Sequence, residues 1–130
     1  MKKILIVPLA VALSGCGILF VEGPAPNWES ATDGRALQNM AISQPCTDSQ
    51  LLPKIDGILA GLNLVGGAYL LATDAPGGWP SQNRERDQTG GISLGWSAIQ
   101  ALSFLIGKEK VEDCRAFNVK MLELTGGNNK

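Results

Sequence analysis

The sequence contains no histidine, which removes the commonest acid–base group active near neutral pH. No Ser–His–Asp or Cys–His nucleophile can be assembled. A closed zinc site would need carboxylates or a second chain beside the few cysteines. Aromatic residues make up only 5% of the chain and charged residues 18%, and the formal net charge is −1. The charges are mixed, with no basic face to neutralise phosphates, so nucleic acid is not expected as a partner. Gly91, Ile92, Ser93, Leu94 and Gly95 match G-x-S-x-G, but that nucleophile elbow requires a preceding strand and a histidine base. Glu85 and Asp87 read as solvated loop charges rather than a paired acid and base. The Gly-rich pieces lack the lysine of a phosphate loop. No enzyme activity, metal or cofactor is expected.

What the chain does have begins at its amino terminus. Lys2 and Lys3 form a short basic region, Ile4 to Leu13 an apolar core interrupted by Pro8, and Leu13, Ser14 and Gly15 lead directly into Cys16. The apolar core is far short of the roughly 20 residues needed to cross about 30 Å of hydrocarbon as a helix, and the order of regions is that of an export signal. The segment resembles the lipobox signal peptide of bacterial lipoproteins. That resemblance implies a thioether-linked diacylglycerol on Cys16, cleavage before it, and acylation of the new amino terminus by a fatty acid such as palmitate. Membrane lipid would then be the first partner, joined through Cys16. Removing residues 1–15 from the 130 leaves 115, enough for one small domain. Loss of Lys2 and Lys3 leaves nine basic against twelve acidic residues, a formal charge of −3. Gly17 stands where the inner-membrane retention signal of lipoproteins has aspartate, which favours outer-membrane delivery.

With Cys16 assigned to lipid, Cys46 and Cys114 remain as an even pair in an exported chain, and the arithmetic favours one disulfide over two buried thiols. Residues 16–44 are rich in Gly, Pro, Ser, Asn and Ala and read as a flexible, lipid-anchored linker. Within it Trp28 suits either a headgroup anchor or a side chain docked on the domain, and Ala36 to Ile42 suits a short helical turn. Residues 45–126 carry two apolar segments, Ile55 to Thr73 and Gly91 to Ile106. Ser49 or Leu52 marks the first helix's start, with Pro53 tolerated in its first turn. Pro76, Gly77, Gly78 and Pro80 are expected to stop it. A polar connection follows to Gly90, and the second helix extends through Val111, Cys114, Phe117, Met121 and Leu124 at helical spacing. Residues 127–130 read as a disordered tail. The expected fold is all-α: a two-helix hairpin with a long C-terminal helical extension and a disordered N-terminal tether.

At about 100° per residue, Gly57, Gly61, Ala68 and Ala72 share one narrow face of the first helix, and Gly91, Gly95 and Ala98 share one on the second. Both segments contain GxxxG, a spacing that allows close backbone approach between helices in lipid, and face-to-face packing of these stripes is expected. On the opposite side lie Asp56 and Asn63, and Ser93, Ser97 and Gln100, which read as a solvated or interfacial face. The whole layout, from lipobox through Pro45, Cys46 and Thr47 to the Gly-rich hairpin and Cys114, is similar to small Gly-rich envelope lipoproteins to which no activity is assigned. The resemblance implies a lipid-anchored protein of the cell membrane or outer membrane, its mature part periplasmic or otherwise extracytoplasmic. The expected role is structural or interactive, with the Gly-rich hairpin packed in or against a membrane and a homo-oligomer or an envelope protein as further partner. A lipid-tethered soluble helical domain that binds a protein or small molecule is the alternative.

Overall fold

A computed structural model describes residues 16–74 and 80–126, and among them the chain is helical, without strands. Four α-helices are present in this described part: α1 (Cys16–Phe20), α2 (Gly34–Ser43), α3 (Leu51–Ala72) and α4 (Pro80–Gly126), with a single 3₁₀ turn at Trp28–Ser30. The all-α fold with a hairpin and a long C-terminal helix is therefore as the sequence implies. Leu13, Ser14 and Gly15 of the expected lipobox, the expected breakers Pro76, Gly77 and Gly78, and residues 127–130 lie outside the described residues.

Local chemistry sets the helix ends. The Leu51 amide donates to Ser49 Oγ at 3.3 Å, and Pro53 sits in the first turn, where an N–H has no intrahelical acceptor. At the far end Thr73 turns extended, and its hydroxyl donates to the Tyr69 carbonyl at 2.8 Å. The second helix begins already at Pro80 rather than at Gly91. Pro80, expected as a breaker, occupies the first turn of the helix, where proline is tolerated, and the polar stretch behind it contains residues that extend a helix as readily as a loop. The Arg86 guanidinium donates to Thr73 Oγ1, clipping the end of α3 to the early turns of α4.

At about 1.5 Å per residue, α4 is about 70 Å long and α3 about 33 Å, so α3 covers only part of its partner. The remainder of α4 is covered by residues 18–44, which correct the expectation of a loose linker. Their composition lacks long apolar runs, yet the few large apolar side chains are spaced to meet the exposed stripe of α4. Val21 and Leu37 are fully buried together with Val111, Cys114 and Phe117. Trp28 stacks edge-on to Phe117, with centroids 5.8 Å apart, so it docks on the domain. Lys110 Nζ donates to the carbonyls of Ile18 and Val21 at 3.3 and 3.0 Å, satisfying oxygens at the end of α1. Asp33 caps α2 by accepting from the Arg35 amide at 3.1 Å. Cys46 and Cys114 form a disulfide, with Cα atoms 5.8 Å apart and 68 residues between them in sequence. It ties the return from α2 to α4 beside the base of the hairpin.

Candidate functional site

The feature that sets this molecule apart is the distribution of polarity in its hairpin. The seam where α3 meets α4 holds buried polar groups: Asp56, Ser97, Gln100 and Ser103. Ser103 Oγ donates to Asp56 Oδ2 at 2.6 Å and accepts from the Ile18 amide at 3.2 Å, so one hydroxyl links α1, α3 and α4. Ser97 Oγ donates to the Ala60 carbonyl at 2.9 Å, and Asn63 Nδ2 donates to Gln100 Oε1 at 2.8 Å. The opposite surfaces are apolar. Ile58, Leu62, Val65 and Tyr69 on α3 are 63–69% exposed, and Ile92, Leu102 and Leu105 stand out from α4 in the same way.

This arrangement corrects two expectations. The stripe of Asp56, Asn63, Ser97 and Gln100 is not a solvated face. It is the packing face, because each polar group there finds an acceptor or donor across the seam and so can be buried. Ser93 is half-buried on the same helix. The small-residue stripes, conversely, do not meet each other. Gly61, Gly91 and Gly95 have open space where a Cβ would stand, and Ala68, Ala72 and Ala98 are exposed. Only Gly57 borders the partner helix, with its Cβ position 3.1 Å from Phe104 Cδ2. The close approach is made instead by Gly67 and Gly90. A Cβ on Gly67 would lie 2.9 Å from the Gly90 carbonyl oxygen, and one on Gly90 would lie 2.8 Å from Leu71 Cγ and 3.1 Å from the Gly67 carbonyl oxygen. The signal for this was present: Gly67 follows Asp56, Ala60 and Asn63 on one helical face.

Of the other residues singled out by sequence, Cys16 opens α1, and Ser93 with its flanking glycines lies inside the continuous α4 helix, which lacks the strand-to-helix turn of a nucleophile elbow. Glu85 and Asp87 are exposed on the first turns of α4. Among the described residues no three His, Cys, Asp or Glu side chains gather into a metal-binding group. Sequence reasoning passed over Ser103, the hub of the seam, and Leu37 and Val21, which complete the lower core. The unpartnered stripe of Val111, Cys114 and Phe117 could have indicated that a covering segment was required.

Both α3 and α4 are long and apolar enough to cross a membrane. Only 17% of the apolar stretch of α3 and 28% of that of α4 is buried within the chain. No protein-family model matches this chain, and no curated protein or solved structure is detectably similar to it.

Proposed function

We propose that this protein is a non-catalytic, lipid-anchored lipoprotein of the bacterial cell envelope, a structural or interaction component whose α3–α4 hairpin is embedded in the membrane. The observation that carries the reading is the inverted hairpin: polar groups are paired inside the seam while isoleucine, leucine and valine face outward. In water the outward side chains would each forfeit roughly 1.5–3 kcal/mol of burial, whereas in lipid their exposure costs nothing and the polar seam supplies the interhelical hydrogen bonds.

Dimensions support the same reading. No charged residue lies between Asp87 and Lys108 on α4, or between Asp56 and Asp74 around α3. At about 1.5 Å per residue these stretches are about 30 and 26 Å long, against a hydrocarbon core of about 30 Å. Ile18 meets Ser103 near the end of the charge-free stretch of α4. A lipid on Cys16 would therefore enter the membrane beside the hairpin, from the side that carries α2 and the disulfide. That side would be extracytoplasmic, and the Arg84 to Asp87 end would lie across the bilayer.

The decisive experiment is fractionation of a Cys16→Ala variant exported by an ordinary cleavable signal. Retention through carbonate washes and release only by detergent is the expected result. Release by carbonate would sink the embedded hairpin and favour a tethered soluble domain with a partner covering its apolar face.

A further inference from the structure

Resting on the embedded-hairpin reading, we propose that the cleft between α3 and α4 on the Gly57 side binds an anionic phospholipid, with an acyl chain against Gly57, Ile58, Ala101 and Phe104 and the phosphate between Lys54 and Lys108. Two adjoining clefts are found there. One of about 460 Å³ is lined by Lys54, Gly57, Ile58, Ala60, Ala101 and Phe104. The other, about 220 Å³, is bordered by Gln50 and Pro53 and shares Lys54 and Phe104, with Lys108 added.

The order of these groups matters. Because the helices are antiparallel, Lys54, a turn before Ile58, and Lys108, a turn after Phe104, stand at the same end of the hairpin. Lys108 ends the charge-free stretch of α4, and Lys54 lies just outside Asp56, which ends that of α3, so both stand at the level of the phosphates in a bilayer. From there the lining becomes apolar toward the membrane interior. Gly57 sets the depth, since a Cβ at this position would stand 3.1 Å from the Phe104 ring, and glycine lets the ring lie against the α3 backbone as a floor. Lys108 is 3.6 Å from Glu112, with both side chains at least half exposed. Such a surface pair is weak and exchanges readily. The clefts themselves are lined by two lysines and no carboxylate, and basic pockets between membrane helices suit anionic head groups. A soluble anion would use the lysines but not the apolar floor; a zwitterionic lipid would use the floor but gain little from the lysines.

The test uses the full lipidated protein, extracted in neutral detergent and exchanged into bilayer discs of phosphatidylcholine mixed equally with phosphatidylglycerol. Lipids retained after gentle re-extraction are counted by native mass spectrometry. The wild type should retain phosphatidylglycerol preferentially, by roughly fivefold per lysine engaged. A Lys54→Gln/Lys108→Gln variant should fall toward parity, whereas Lys120→Gln, remote from the cleft, should keep the preference. Equal retention of both lipids by wild type, an unchanged preference in the double variant, or an equal loss with Lys120→Gln would overturn the site. The Cys16→Ala fractionation separates the two claims. Carbonate release there removes the embedded hairpin and the site together, while carbonate resistance without lipid preference removes the site alone.

Discussion

At Gly67 the hairpin leaves no room for a methyl group, because what faces it is the Gly90 carbonyl oxygen at 2.9 Å, part of a backbone that cannot step aside as a side chain could. Gly67→Ala is therefore expected to cost about 1–3 kcal/mol, as overpacking does. Gly61→Ala should be neutral or stabilise by up to about 1 kcal/mol, since its surroundings are open and alanine is the better helix former. Thermal unfolding of the two variants in the same detergent tests the contrast. If both lose stability equally, the small stripe rather than the polar seam holds the helices together. Ser103 makes a second residue-scale test. Its hydroxyl both donates to Asp56 and accepts from Ile18, so Ser103→Ala should destabilise by about 1–3 kcal/mol, since it removes one hydrogen bond from the buried Asp56 carboxylate and one from α1. Ser93→Ala, which removes a half-buried hydroxyl from the same helix, is the comparison and should be milder.

Among the elements, α2 and the segment before it show how poor a guide composition is when packing supplies the order. Glycine, proline and serine argued for a tether, and the local reading was sound as far as it went. What it could not weigh is that Leu37 and Val21 have a waiting surface on α4. Burial of a leucine contributes about 1.5–3 kcal/mol, and a covalent clip at Cys46–Cys114 shortens the search for that surface. Leu37→Ala is expected to cost about 2–5 kcal/mol and to raise amide hydrogen exchange throughout α2, while the α3–α4 seam stays protected. Cys46→Ala/Cys114→Ala should lose about 4 kcal/mol on the chain-entropy account of a loop this long. Simultaneous loss of protection in the seam and in α2 would show instead that the hairpin and its cover unfold as one unit. The early start of α4 has the same origin as the ordered linker. Arg86 reaching Thr73 gives the polar turns after Pro80 a tertiary reason to be helical.

For the whole molecule, the chain divides into an apolar part, α3 with residues 88–107 of α4, and a more polar part in which α4 beyond Lys108 is wrapped by residues 18–44. An embedded hairpin places the two ends of the molecule in different compartments. Single cysteines introduced at Asn39 and at Gln82, both exposed, test this in sealed vesicles of one orientation. An impermeant maleimide is expected to label one and not the other, and labelling should become equal once detergent opens the vesicles. Equal labelling before detergent would place both ends on one side and make the hairpin an attachment to the surface. Cys46 and Cys114, being bonded, stay silent in this assay.

Much of this protein follows from local sequence. The charge-free apolar segments and the proline, serine and glycine punctuation determined that it is helical and that two helices pair, and the absence of histidine removed any centre built on an imidazole. Cysteine number, with Cys16 set aside, singled out the pair that is bonded. Helical spacing also separated the small stripe from the polar stripe on α3 and α4. Which stripe would face inward was decided only in three dimensions. A polar group prefers water when alone, yet Asp56 beside Ser103, Asn63 beside Gln100 and Ser97 beside a backbone carbonyl satisfy one another across the seam. Whether such pairs form depends on the register of two helices joined through residues with little pattern of their own. Tertiary structure likewise decided the fate of residues 18–44, because side chains too sparse to build a core can complete one that already lacks a face.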